Sequence, residues 1–590
     1  MIMPTLIRLG CDTETYYVNS DVKGLKSIQV SGDMRINEYF TTGNFNQDDL
    51  SIRFEICDKF FTFLFTLNTN VDIAFFNLNF DGSQFIYWLV TQSGYQIDNS
   101  GYSTKKGTMR IFETDMKLYS IEIRTHSGFL IKMLDLANFI VGSNLNNACK
   151  DWLNDEKVEL ESKRFDKRPA TEIERQYAIK DANLTYRLYL QLIDHEVISG
   201  HRNLTIASRT LSRFRDFTNK EYGIKFNEFF YPNMSNEEIE LTKSQFEIEI
   251  RKGVRGGICQ AWHRGIYDHC THIDARSMYP TQCVKDLIPV GGLLNSKPCG
   301  AYTKIVYPSG FFTLRDGRVP CVQWHNRQYC QQYAYLNRYD PSDYVHDFYL
   351  DGSYPIWIDE YNLIKQNYYV DDETIDKEWY IEMANNTMLK DYVERDYRGK
   401  RENTGTKRNV YKYFLNALYG KFLSRPDGIS IEYVKEKNKW NRIKVDNIKA
   451  TYYLPLGSWI AMQGRITLMN AINSIDSEDF LYCDTDSIIY KGDKMPDIKI
   501  GKNLGEWGIE QSDVKVNVVG AKTYQELTSD GTLITKCGGL PSREKNLLEW
   551  GELQDGMKID TFKPRRDKDI WAINIEPVTY TVNTKVGMFT

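Results

Sequence analysis

The stretch Phe480-Leu481-Tyr482-Cys483-Asp484-Thr485-Asp486-Ser487-Ile488-Ile489-Tyr490 places two aspartates one residue apart between two apolar, aromatic runs. It reads as strand, tight turn, strand, with both carboxylates at the turn. Residues two apart on extended chain point the same way. Carboxylates so close repel each other unless a cation lies between them, and hard oxygen ligands suit Mg²⁺, with Mn²⁺ as a substitute. Asp274, in Asp274-Ala275-Arg276-Ser277-Met278-Tyr279-Pro280, is a natural third ligand from another strand. Such a cluster, holding two ions, is the apparatus of in-line phosphoryl transfer. An isolated Asp-x-Asp is more often a solvated turn, so the weight rests on what accompanies it.

A second acidic set precedes it. Asp12 and Glu14 end the first apolar strand, two apart and on one face. Asn77-Leu78-Asn79-Phe80-Asp81-Gly82 follows another apolar run and places Asp81 where a sheet edge meets a loop. Tyr177 and Asp181 are one helical turn apart. Four carboxylates from three elements can hold two divalent ions beside a scissile phosphate, with Tyr177 orienting the attacking water. Thr15, Phe76, Asn77 and Phe80 surround this set and are placed to stack on, or hydrogen-bond, a frayed 3′ end; core packing is the competing reading for the two phenylalanines.

Further motifs surround the opening aspartates. Tyr279 can lie under the sugar of an incoming nucleotide and exclude a 2′-hydroxyl by its bulk. In Lys412-Tyr413-Phe414-Leu415-Asn416-Ala417-Leu418-Tyr419-Gly420, helical spacing puts Lys412, Asn416, Tyr419 and Gly420 on or beside one face. Lys412 can neutralise a triphosphate, Tyr419 can press on a nascent base pair, and Gly420 admits its close approach. A surface amphipathic helix is the plainer alternative. Lys522 and Tyr524, read as two apart on one strand face, can hold a primer strand, and Lys536 adds a cation near its end.

The ordered set Asp-x-Glu, Asn-x-x-x-Asp, Tyr-x-x-x-Asp resembles the DEDDy 3′–5′ exonucleases, which also use a lysine just before the last motif; Lys157 is the first choice and Lys163 the second. The series Asp274, Lys412 to Gly420, Asp484 to Asp486 and Lys522-Thr523-Tyr524 resembles motifs A, B, C and Lys-x-Tyr of family B DNA polymerases. The protein-primed polymerases of small bacteriophages are the most similar subgroup. The chain is short for a polymerase with proofreading, the connection after motif A is long, and an alternating pattern from Gly428 to Leu454 reads as a β-hairpin where the subgroup carries a second insertion. The resemblance implies an α+β multidomain fold: an RNase H-like 3′–5′ exonuclease over 1–203, palm over 204–286 and 453–536, a first insertion over 287–375 contacting the priming protein and DNA, fingers over 376–422, a second insertion over 423–452, and a thumb over 537–590. It further implies that Asp12, Glu14, Asp81, Asp181, Asp274, Asp484 and Asp486 are catalytic metal ligands and that Ala275 lies at the nucleotide. The substrates would be dNTPs, template-primer DNA and single strands, with a terminal protein as primer and strand displacement without helper proteins.

The sequence departs from the family at four places, the smallest being Ala417 in motif B, where Ser is common. Val254-Arg255-Gly256-Gly257 stands where relatives have Tyr-x-Gly-Gly; Arg255, Gly256 and Gly257 remain candidate DNA contacts. Ala461-Met462-Gln463-Gly464-Arg465 replaces Thr-x-x-Gly-Arg and keeps Arg465 for template phosphate. Leu136-Ala137 replaces a Ser-Leu pair, so that contact is not carried over. Two other functions compete: a family B polymerase extending only nucleic-acid primers, and a nuclease or nucleic-acid-binding protein with an inactive polymerase half. The intact carboxylates at Asp274, Asp484 and Asp486 argue against the second.

Composition sets the bounds. At 590 residues, 42% hydrophobic and 26% charged, the chain is globular and multidomain. Net charge is −5, so a nucleic-acid path has to come from local basic runs such as 163–168, 395–408 and 564–568. The 11 cysteines are odd in number and hold no Cys-x-x-Cys, which fits reduced thiols. Cys259, His263, His269, Cys270 and His272 cluster in sequence, but their spacing matches no common zinc site, and none is expected. No apolar run reaches the ~20 residues of a membrane span, and no signal peptide is read. The expectation is a monomer acting in the cytoplasm of an infected bacterial host.

Overall fold

Ile7, Leu9 and Cys11 are buried on alternate positions of the Leu6–Tyr17 strand. This strand lies within an eight-stranded sheet. It runs parallel to Asn70–Phe75, which in turn runs parallel to Leu130–Asp135. Val71 to Phe75 are all buried, as expected of a parallel strand covered on both faces. The Asp49–Thr66, Leu78–Thr91 and Glu172–Asp194 helices pack on the sheet. At Gly10 a Cβ would sit 2.2 Å from the Tyr186 backbone nitrogen and 2.4 Å from the Ala182 carbonyl oxygen. The missing side chain therefore lets the Glu172–Asp194 helix rest directly on the strand, which brings Asp181 to Asp12. The structure, a computed structural model, describes residues 6–17, 23–98, 104–114, 117–158, 160, 165–199, 203–322, 347–424, 427–434, 439–446, 452–567 and 572–582. Lys163 and Lys568 fall outside them.

A second sheet has seven strands in the order Leu533–Cys537, Thr523–Leu527, Trp507–Gly520, Gly265–Ala275, Ser487–Lys491, Phe480–Asp484, Cys259–Ala261. The opening stretch of the sequence is therefore the expected strand–turn–strand, with Gly265–Ala275 as the outer neighbour of its second strand. The Leu454–Ile472 helix behind the sheet is buried almost all round, consistent with its nearly unbroken apolar sequence.

Between Leu287 and Asn385 a third sheet forms, with strands Leu287–Leu294, Tyr368–Asn385, Tyr302–Leu314 and Asp347–Asp351, and with Ile356–Trp357 paired to Tyr302–Leu314. Tyr368–Asn385 is one continuous strand, so a boundary at 375/376 falls inside it, and the helical part begins at Thr387. Two helices follow, Thr387–Glu402 and Gly405–Phe422. By sequence, Arg398-Gly399-Lys400 and Thr404-Gly405-Thr406 both read as breaks in a helix-permissive stretch, but the first helix runs through the former. Gly399 serves packing instead: a Cβ there would lie 2.6 Å from the Tyr411 ring, so glycine lets the two helices approach. The break at Thr404-Gly405 is present.

The expected hairpin pairs Asp427–Val434 with Lys439–Asp446. A final hairpin pairs Lys558–Asp567 with Ala572–Thr581. No helix among the described residues is long and apolar enough to cross a membrane.

Candidate active sites

Asp12, Glu14 and Asp181 offer carboxylate oxygens that all lie within 4.8 Å of one another, the one such group of three potential ligands among the described residues. Burial, then the Asp181 charge, lifts Asp12 to about 7. Glu14 is raised for the same first reason and by Asp12. Lys157 Nζ reaches Asp181 Oδ2 at 2.5 Å and lies 5.2 Å from the Tyr177 ring centroid. Burial works against the Lys157 charge, but Asp181 and Asp12 more than reverse that and hold it protonated. Burial and Asp181 push Tyr177 up to about 12.

Asp81 stands outside that group of three. It sits not on a loop but in the first turn of the Leu78–Thr91 helix, buried, accepting from Thr13 Oγ1 at 2.5 Å. Burial and the Asp12 charge raise it well above the carboxylate range. Asn77 enters this helix in the left-handed region, φ 78°. Its N–H is held by Asp135 Oδ1 at 2.8 Å, and the same oxygen accepts from Ala137 N–H at 2.9 Å. Asp135 was not singled out in the sequence; its place at the end of the parallel Leu130–Asp135 strand is the signal that could have found it. Phe76 and Phe80 are half-buried, while Thr15 and Asn77 keep surface at the same edge.

In the second centre Asp274 pairs in register with Ser487, which also pairs with Asp484. Ala275 N–H donates to the Asp486 carbonyl at 2.7 Å, locking motif strand to turn, and Thr485 takes φ 60° between the two aspartates. Burial, then Asp486, lifts Asp274 to about 7; burial, then Asp484, lifts Asp486 to about 6, and Lys412 opposes both. Asp484 pairs with Lys522 Nζ at 2.7 Å. The three aspartates do not close to the spacing of the first group.

Lys522 lies in a turn at φ 58° before the Thr523–Leu527 strand, while Tyr524 is buried with its ring 5.0 Å from Tyr482. The two therefore do not share a strand face, because the left-handed turn rotates Lys522 out of the strand's alternation. Lys536 pairs in register with Tyr524 and is exposed. Lys412, Asn416 and Gly420 form an exposed row on the Gly405–Phe422 helix. Tyr419 packs its ring 4.1 Å from Tyr279. Lys400, which the sequence did not single out, donates to Ser277 Oγ at 2.8 Å. Burial, Arg408 and Lys412 pull its pKa down to about 8; a lysine directly after Gly399 gave no sign of this in one dimension.

Arg255 and Arg465 lie beneath the surface. Arg465 donates to both Glu360 oxygens, at 2.7 and 2.8 Å, and to the carbonyls of Arg255 and Gly256. Arg255 pairs with the same carboxylate at 3.0 Å. Burial raises Glu360, but the two arginines more than reverse it, to about 2. These donors are engaged in fixing the Gly256-Gly257 backbone, which passes Thr485 and Tyr279 so closely that a Cβ on Gly257 would lie 2.7 and 2.9 Å from them. Glu360→Ala leaves two buried cations against one another. We expect it to cost about 3–5 kcal/mol, read as a lower urea midpoint; an unchanged midpoint would show the triad to be dispensable.

The five cysteine and histidine residues considered for zinc take separate partners. His263 meets the Ser477 carbonyl, His269 meets Asp513, and His272 meets Glu526. The Cys259 and Cys270 thiols face the Tyr482 hydroxyl and the Asp268 carbonyl.

An antiparallel sheet thus presents three aspartates beside a basic helix, and a mixed sheet carries its own carboxylate cluster. The family model for DNA polymerase type B, organellar and viral, matches residues 142–503, and the chain belongs to that family. Its relatives include the DNA polymerase of Bacillus phage Nf, 26% identical over 487 residues and 78% of each chain. The DNA polymerase of Bacillus phage B103 is 25% identical over 549 residues, covering 85% of this chain and 88% of that one. Among solved structures, phi29 DNA polymerase with primer-template DNA and incoming nucleotide superposes with TM-score 0.78 at 19% identity, over 98% of this chain and 99% of that one. Phi29 DNA polymerase with single-stranded DNA gives 0.71 at 20% identity, over 98% and 100%. The chain is thus a phage-type DNA-directed DNA polymerase that uses divalent cations.

Proposed function

We propose that this polymerase also carries a 3′–5′ proofreading exonuclease and starts synthesis on a terminal protein. The observation that carries the exonuclease reading is the Asp12, Glu14 and Asp181 group with Lys157 on Asp181. The donor set is all hard oxygen, buried at Asp181, half-buried at Asp12 and Glu14, and mutually repelling, which suits Mg²⁺ or Mn²⁺. Bound there, such ions supply a nucleophilic hydroxide and charge stabilisation at phosphate. Asp12, Glu14, Asp81 and Asp181 would hold them. Tyr177 and Lys157, already joined to Asp181, orient water and counter developing charge. Thr15, Phe76, Asn77 and Phe80 take the frayed 3′ end. Asp274, Asp484 and Asp486 form the corresponding set for synthesis.

For synthesis, Lys412, Asn416 and Tyr419 face the incoming dNTP, with Lys400 as a second cation and Tyr279 beneath the sugar. Lys522 and Lys536 follow the primer strand, with Tyr524 as the packed base beneath Lys522. The backbone of Gly256 and Gly257, held by Arg255 and Arg465, passes the template. Subdomains follow the limits given above, with the first insertion extended to Asn385 and the fingers beginning at Thr387. Priming by protein is supported by the phage relatives and by the sheet between Leu287 and Asn385. Transfer of one dNMP to a purified phage terminal protein tests it; extension of DNA primers with no such transfer would leave a primer-only polymerase.

Lys400 gives a pH test. The lysine loses its charge as pH passes about 8, so the KM for dNTP is expected to rise between about pH 7.5 and about pH 9. Lys400→Arg, charged throughout, should flatten that rise. The same profile in both proteins would remove Lys400 from the nucleotide site.

A further inference from the structure

Thr404 occupies the N-cap of the Gly405–Phe422 helix but makes no capping bond. The bond comes from the N-terminal domain instead: Asp151, on the Leu145–Leu153 helix, accepts from the Thr406 N–H through Oδ2 at 2.6 Å. Gly405 has φ +55°, and a Cβ there would lie 2.3 Å from that oxygen, so the bare glycine admits the carboxylate. Beside it, Lys407 Nζ lies 5.3 Å from the Trp152 ring centroid. Val410 and Phe414 continue the contact within one apolar cluster that includes Ala148 and Trp152. A helix start leaves four N–H groups without partners and carries partial positive charge. A carboxylate from another domain answers both needs here. About two to four turns further on, the same helix presents Lys412, Asn416 and Tyr419.

We propose that Asp151 is a positioning residue for nucleotide binding: by capping this helix from the N-terminal domain, it sets where the dNTP-facing row stands. It touches no reacting atom and acts only through the helix. The proposal rests on the reading that this helix faces the incoming nucleotide. Loss of the cap weakens ground-state and transition-state binding alike, which raises KM and spares kcat.

The test is steady-state extension of a primed template by the full-length protein with Asp151→Ala, Asp151→Asn and Lys412→Ala, alongside primer-template affinity. Asp151→Ala should raise the dNTP KM about fivefold, with kcat and DNA affinity within about twofold; Asp151→Asn keeps a capping oxygen and should stay within about twofold of the parent. Lys412→Ala should raise KM by itself. If Lys412→Ala raises KM and Asp151→Ala does not, the capping role is overturned and the nucleotide reading stands. If neither moves KM, the nucleotide reading fails and the proposal with it. An Asp151→Asn protein as impaired as Asp151→Ala, or a fall in kcat and DNA affinity matching the KM change, overturns the proposal as well.

Discussion

Asp484→Ala or Asp486→Ala is expected to stop primer extension while degradation of a single strand from its 3′ end stays within about twofold. Both residues sit at one turn of the seven-stranded sheet, tied to Asp274 through the Ala275–Asp486 backbone bond. A two-ion centre contributes several kcal/mol of charge stabilisation, so removal of one ligand should lower extension by about a thousandfold or more. Misfolding is not the expected cause. Asp486 is held above its ordinary range by burial and by Asp484, so taking either charge away relieves repulsion. Lys522 loses its partner in Asp484→Ala, but it sits in an exposed turn and regains water. A primed template with dNTPs and Mg²⁺ reads the first activity, and a labelled oligonucleotide without dNTPs reads the second. Loss of both in a folded protein would mean that the two activities share one centre.

The reciprocal substitution, Asp12→Ala with Asp81→Ala, is expected to lower 3′–5′ degradation by a similar factor of about a thousand or more and to leave extension nearly intact. Both carboxylates are raised by burial and by a neighbouring carboxylate, so their loss also removes like-charge strain. Thr13 loses its acceptor at Asp81; a small buried hydroxyl left unpaired costs about 1–3 kcal/mol, too little to unfold a domain with so large a core. Misincorporation should rise, measured as extension past a mismatched primer end. Unchanged degradation would place the nuclease elsewhere.

Much of this was legible because both centres are built from short-range pattern. Asp484 and Asp486 follow an apolar strand and precede another, and that pattern alone defines the turn. Asp12 and Glu14 share a strand face, and Tyr177 and Asp181 share a helix face, for reasons of period alone. What could not be read was contact between distant segments. Glu360 lies about a hundred residues from each arginine it holds, Asp135 supports an amide from a neighbouring strand's exit, and Asp151 caps a helix from another domain. Such partners are set by packing and leave no local period. Gly399 shows the converse error: glycine read as a helix break is there for close approach between helices. Lys522 and Tyr524 show that two-residue spacing means one face only on extended chain, and φ 58° at Lys522 breaks that condition.

The proposed function depends on two separate carboxylate centres that each take divalent cations. Crystals of the protein soaked in Mn²⁺, with anomalous difference maps recorded at the manganese edge, test this most directly. Peaks are expected in both places, one set among Asp12, Glu14 and Asp181 and another among Asp274, Asp484 and Asp486. A peak at the second set alone, with Asp12 and Glu14 bare at saturating Mn²⁺, would contradict the two-centre reading.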